Sequence, residues 1–215
     1  MSGSAAGKSS TGGSSEGVTL AALPGELQWQ VLPARWSVKN EKQLTIEAGP
    51  RTDLFVDPKG GEAVLNAARL IGQPIEGDFT LSAMVTVGFA ASFDAGVLLI
   101  HGGDGSWAKL CFEYSPQGQP MVVSVVTRGV SDDANSMPIE AKTVWLRVAR
   151  IGPAYAFHAS TDGTTWQFVR HFALETEAAP QVGFLAQSPS GDGCTVTFED
   201  IRFEQRRLAD LRSGE

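Results

Sequence analysis

The sequence predicts an all-β fold, an antiparallel β-sandwich, and three observations carry that prediction. Apolar residues recur at every second position in run after run, the period of a strand with one covered face. Clusters of Gly, Asp, Ser and Pro punctuate these runs at near-regular spacing, as turns between short strands require. No long stretch carries helical periodicity, and no internal repeat of solenoid spacing is present.

The elements follow in chain order. Residues 1–17 are mostly Ser, Gly and Ala, too polar and small to offset their ordering entropy, and are expected to form a flexible tail. Gly7-Lys8-Ser9 resembles the end of a phosphate-binding loop, but its first glycine is misplaced and neither a strand nor a helix flanks it. No apolar segment follows Lys8, so a secretory signal is not expected and a cytoplasmic location is. Residues 18–204 are expected to form the sandwich. Phe79, Leu81, Ala83, Val85, Val87 and Phe89 alternate with polar or smaller residues; Leu110, Phe112 and Tyr114 repeat the pattern, as do Leu146 with Val148 and Tyr155 with Phe157. Val97 to Ile100 is apolar throughout, the mark of a central strand covered on both faces. Turns are placed at Gly102-Gly103-Asp104-Gly105, Pro116-Gln117-Gly118, Asp162-Gly163 and Ser190-Gly191-Asp192-Gly193.

In the last strand, Cys194, Val196 and Phe198 share a face that Ile201 and Phe203 resume one residue late. A β-bulge at Glu199-Asp200 keeps both halves facing the core. Residues 205–215 are read as a charged tail or a short helix.

Composition narrows the function. Seventeen basic against 24 acidic side chains give a net charge of −7, which disfavours binding to a phosphate backbone. No apolar run is long enough to span a membrane as a helix. Cys111 and Cys194 show no C-x-x-C spacing and read as buried thiols, although spacing alone leaves a disulfide open. His101, His158 and His171 share no metal-ligand spacing, no nucleophile elbow is present, and neither a metal nor a cofactor is expected. Asp53 and Asp57 precede a Pro-Lys-Gly-Gly turn and read as a turn cap plus an exposed acid rather than a calcium site. Ser160 to Trp166 reads as a structural hairpin with an Asp-Gly turn clamped by hydroxyls.

The candidate site lies between Asp94 and Asp133. Alternation puts Leu110 and Phe112 on one face of their strand and Trp107, Lys109, Cys111 and Glu113 on the other. The same reasoning sets Ser124 and Arg128 opposite Val123 and Val125, and Arg147 opposite Leu146 and Val148. One outer sheet face carrying Trp107, Lys109, Glu113, Ser124, Arg128 and Arg147 would suit a carbohydrate: rings stack on sugar faces and charged groups bind hydroxyls. The plain alternative is a solvated face with Lys109–Glu113 and Glu113–Arg147 ion pairs, each contributing about 0–1 kcal/mol.

These residues resemble a known family. The run Phe93-Asp94-Ala95-Gly96-Val97-Leu98-Leu99, the strand with Trp107-x-Lys109 and Glu113-Tyr114, Ser124-Val125-Val126-Thr127, Ser131-Asp132, Trp145-Leu146-Arg147 and Ser160-x-Asp162-Gly163-x-x-Trp166 are similar to the regulation of enolase protein 1 family. Thr52-Asp53 and Gly183-Phe184 with Ser188-Pro189 extend the resemblance over residues 27–203. It implies a concanavalin A-like lectin/glucanase jelly roll with a ligand on the concave sheet, and it carries the shared Trp, Lys, Glu, Ser and Thr onto Trp107, Lys109, Glu113, Ser124 and Thr127. Many relatives read Ser-Asp-Trp where this chain has Ser131-Asp132-Asp133, which puts one aromatic wall of such a groove in doubt.

Retaining glucanases of this fold use an E-x-D-x-x-E strand with carboxylates about 5–5.5 Å apart. That pattern is absent: Lys109 and Cys111 occupy the positions four and two residues before Glu113. The Tyr and Gln-x-His set of lyases on this fold is absent too. The reading is a non-catalytic module for carbohydrate or a related polar ligand, with no nucleic acid or membrane partner. A protein-interaction domain of the enolase-regulator type and a glycoside hydrolase with an atypical carboxylate pair are the alternatives.

Overall fold

The computed structural model describes residues 17–103, 105–176 and 179–215. The expected tail at 1–17 therefore lies outside the described residues except for Gly17, as does Asp104 of the Gly-rich turn. Among the described residues there are sixteen strands and no helix: β1 (Gln28–Val31), β2 (Arg35–Lys39), β3 (Gln43–Glu47), β4 (Leu54–Phe55), β5 (Val64–Leu65), β6 (Ala68–Pro74), β7 (Phe79–Val87), β8 (Ala95–His101), β9 (Ser106–Tyr114), β10 (Pro120–Arg128), β11 (Val130–Pro138), β12 (Thr143–Ile151), β13 (Ala154–Ser160), β14 (Gln167–Ala173), β15 (Gln181–Gln187) and β16 (Thr195–Glu204).

They form two seven-stranded antiparallel sheets, in the order β1-β6-β15-β8-β9-β10-β11 and β14-β13-β12-β7-β16-β3-β2, with β4 and β5 as a separate ribbon. This is the sandwich expected from the alternation, and the chain is all-β as expected. The two inner faces meet in one core. Leu98, Leu110, Phe112, Val126 and Phe184 come from the first sheet; Leu81, Val85, Leu146, Phe157 and Phe198 come from the second. Burying each such side chain contributes roughly 1.5–3 kcal/mol. Phe184 and Phe198 bridge the layers with ring centroids 5.0 Å apart in an edge contact.

The first sheet is apolar on its outer face as well. Ala95, Val97 and Leu99 of β8, Cys111 of β9, Val123 of β10 and Leu185 of β15 form a second cluster with Leu54 of the ribbon. Val97 to Ile100 therefore feeds two cores by turns, as its unbroken apolar run predicts. The ribbon is held to the sheet at both ends. Thr52 pairs with Ser188, and Val56 exchanges hydrogen bonds with Ser131, whose hydroxyl also meets Thr127.

β16 carries the expected bulge. Its pairing with β7 steps from Glu199 opposite Met84 to Arg202 opposite Ser82, and Asp200 takes φ 48°. Trp145 Nε1 donates to Asp200 Oδ2 at 3.0 Å, which fixes the bulged residue. The Asp162 hairpin is clamped as read, its Oδ1 accepting the Thr164 and Thr165 N–H groups at 2.7 Å each. Both cysteines are free and buried. Residues 205–215 form turns rather than a helix and fold back on the second sheet, where Leu208 is buried. No helix among the described residues is long and apolar enough to cross a membrane.

Candidate functional site

Register builds the site on the outer face of the first sheet. Trp107, Lys109, Cys111 and Glu113 alternate with the core residues of β9. Across β10 they face Thr127, Val125, Val123 and Met121 in turn, and one strand further Val125 faces Asp133. Across β8, Glu113 faces Ala95, whose partner on β15 is Gln187. Lys109 thus sits at the centre of a grid whose polar members are Glu113, Asp133, Thr127 and Gln187.

The ribbon supplies the remaining group. Asp53, just before β4, places Oδ1 at 3.3 Å from Lys109 Nζ, and Gln187 Oε1 accepts a second hydrogen bond from the ammonium at 3.0 Å. The Phe55 ring centroid lies 5.8 Å from the same nitrogen, within cation–π range. Lys109 is only 1% exposed. Burial pulls its pKa down, but Asp53 and the neighbouring acids more than offset this, so the net shift is upward and the ammonium keeps its charge.

Glu113 goes the other way. Burial is the largest cause and Asp133 and Asp53 add to it; the Lys109 ammonium opposes them, and the carboxyl ends at about 8. Asp133 is also raised, chiefly by burial. At neutral pH Glu113 is a hydrogen-bond donor beside an ammonium and two further acids. This mixed donor and acceptor set matches hydroxyl groups, which both give and accept hydrogen bonds. No group of three His, Cys, Asp or Glu among the described residues could hold a metal ion.

Residues 29–206 match the family described as a protein of unknown function (DUF1349). The chain belongs to that family. It is 28% identical over 159 residues to Regulation of enolase protein 1 of Saccharomyces cerevisiae, covering 74% of this chain and 79% of that protein. A solved structure of a functionally unknown protein from Saccharomyces cerevisiae superposes with a TM-score of 0.76 at 25% identity, covering 84% of this chain and 96% of the other. The carbohydrate binding module CBM66 from Bacillus subtilis superposes with a TM-score of 0.53 at 14% identity, covering 82% and 94%, a likeness of fold alone. The concanavalin A-like sandwich and the resemblance to the enolase-regulator family both stand.

Of the seven residues the sequence singled out in this DUF1349 chain, Trp107, Lys109, Glu113 and Thr127 share the outer face. Ser124 does not. It pairs with Leu110, faces the second sheet and accepts a hydrogen bond from Arg170 at 3.4 Å. Arg128 has the parity of Ser124 and donates to the Ala173 carbonyl of β14 at 2.6 Å. Alternation misled here because Val122, Val123, Val125 and Val126 are all buried, so β10 has two apolar faces and its polar residues do not mark the outside. Arg147 lies opposite Leu146 and Val148 as expected, but β12 belongs to the second sheet. It faces away from the sandwich and stacks on Trp166 at 4.1 Å, far from any pairing with Glu113. Local alternation assigns a face, not a sheet.

Two further expectations need correction. The Trp107 indole is 2% exposed, its Nε1 buried without a partner, so it packs under the ribbon and offers no ring for a sugar to stack on. Lys109 pairs with Asp53 rather than Glu113, which makes Asp53 a site residue and not the exposed acid expected of it. Asp57 is the turn cap, accepting the Lys59 N–H at 2.8 Å. Asp53 and Gln187 were invisible locally because each reaches Lys109 only through the tertiary fold.

Proposed function

We propose that this protein is a binding module for a carbohydrate or related polar ligand, taken on the outer face of the first sheet by the half-buried Glu113 and the exposed Asp133, with Lys109 buried beside them. The observation that supports this reading is the state of Lys109. An ammonium has three donors, and the described hydrogen bonds to Asp53 and Gln187 occupy two of them. That buried ammonium holds the polar cluster together from beneath: the half-buried Glu113 carboxyl, protonated, offers a donor to a ligand hydroxyl, while Asp133 on exposed β11 accepts. A cytoplasmic location is part of the same proposal.

The test is calorimetric titration of the whole chain with neutral, acidic and amino oligosaccharides. Saturable binding to one class is expected, with Lys109→Met weakening it about tenfold or more while the circular dichroism of the sheets is kept. A folded Lys109→Met protein that binds as tightly as the wild type, or silence across the whole panel, refutes the reading.

The similarity to Regulation of enolase protein 1 supports a second reading, a regulatory domain that contacts a protein. Titration with purified enolase tests it directly. Heat evolved with enolase and none with any saccharide would favour the regulator over the saccharide module.

A further inference from the structure

Arg147, displaced from the face on which the sequence placed it, has a site of its own. On the outer side of the second sheet a cavity of about 470 Å³ is lined by Arg147, Arg206, Trp166, Thr164 and Thr165. Arg147 is 4% exposed. Its Nη2 donates to the Gly214 carbonyl at 2.7 Å, while its Nε is buried with no partner. Among the described residues no carboxylate lies within ion-pair distance of it. A guanidinium has five N–H donors in a planar fork suited to oxyanions, so most of this one's donor capacity is left uncommitted.

The guanidinium is held in place. Trp166 lies over it at 4.1 Å, and the hairpin that carries Trp166 is locked by Asp162. Burial lowers the Arg147 pKa to about 10; Arg206, a second guanidinium at the cavity, adds to this and Glu204 opposes it. Arg206 is paired with Glu204 on the solvent side. Thr164 and Thr165 complete this side of the lining. Glu215 is the one acid among the lining residues, and no ion pair joins it to Arg147. A desolvated guanidinium with a donor unmet is stabilised by an anion placed against it, and Arg206 lies at the same cavity to share that anion.

We propose that this cavity is a second ligand site, independent of Lys109, which takes the phosphate or carboxylate group of a small molecule between Arg147 and Arg206. The Arg147 fork would bind two oxygens, and Arg206 a further one.

Calorimetry of the full chain at pH 7 with inorganic phosphate and, separately, with citrate tests it. Saturable binding of phosphate names a phosphoryl ligand, and binding of citrate alone names a carboxylate. Arg147→Met should weaken either by about tenfold or more, and Arg206→Gln by several-fold, since each removes a charge-assisted contact. The Arg206 side chain is 49% exposed, so that variant keeps its fold even where Arg147→Met does not. Lys109→Met should leave the affinity unchanged. No saturation with either anion, affinity kept in Arg206→Gln, or binding lost in Lys109→Met overturns the assignment.

Discussion

Lys109 Nζ and Asp53 Oδ1 meet 3.3 Å apart beneath the β4–β5 ribbon, across a sequence separation of 56 residues. The two partners are unequally placed: the lysine side chain is 2% exposed and the aspartate 21%. Removing the acid strands a charge that water cannot reach, whereas removing the lysine leaves an acid that can solvate. Asp53→Ala should therefore cost about 3–5 kcal/mol in urea unfolding. Lys109→Met, which keeps the volume and drops the charge, should cost about 1 kcal/mol or less. Equal losses in the two variants would refute the unequal burial of the two partners.

Glu113 gives the stability a slope with pH. In the unfolded chain its carboxyl ionises near its ordinary value, but in the folded protein burial holds it protonated to about 8. Between those values the folded state binds the extra proton, so this group's contribution makes stability fall as pH rises from about 4.5 to about 8. The effect is on the order of a few kcal/mol. In Glu113→Gln this slope should vanish, seen by comparing Tm at pH 5 and pH 8 with the wild type. Because Gln keeps the donor, the same variant should retain saccharide binding that Glu113→Ala loses.

The sandwich was legible because its cause is local. Alternation along Phe79–Val87 and the late return of the apolar face at Ile201 each follow from the two-residue period, and the bulge at Asp200 is its direct consequence. The site was legible only along β9, where Trp107, Lys109 and Glu113 are set by one strand's pleat. Ser124 was misassigned because β10 is apolar on both sides, and Arg147 because strand order is a long-range property. Asp53 approaches Lys109 only when the ribbon closes, and nothing in Thr52-Asp53-Leu54-Phe55 encodes that.

His158 should set the acid limb. Its ring is fully buried on β13 beside Arg147, and its Nε2 donates to the Leu211 carbonyl, leaving Nδ1 as an unpartnered acceptor. Burial is the main cause that lowers its pKa to about 4, and Arg147 adds to it. Between about 6.5 and 4 the unfolded chain takes up a proton that the folded protein refuses, so this contribution to stability is lost as pH falls through that window. His158→Gln should flatten the fall in Tm between pH 6.5 and pH 4. A fall as steep as that of the wild type would move the acid sensitivity elsewhere.

Gly183 is required by contact rather than by backbone angle. A Cβ there would stand 2.1 Å from the Leu70 carbonyl oxygen and 2.9 Å from Ile71 Cδ1, at the point where the β15–β6 pairing shifts register. The nearest obstacle is backbone, so relief requires β6 to move away from β15. Gly183→Ala should therefore cost about 2–4 kcal/mol, at the upper end of overpacking penalties. Gly88→Ala is the control, since its Cβ would meet nothing closer than 3.6 Å and should cost well under that. β6 also carries Ile71 into the apolar cluster beneath the ribbon. If the register of that strand holds Leu54 and the adjoining Asp53 in place, Gly183→Ala should weaken saccharide binding at temperatures where the protein is still folded. Full affinity in the folded variant would separate the ribbon's position from the packing of β6.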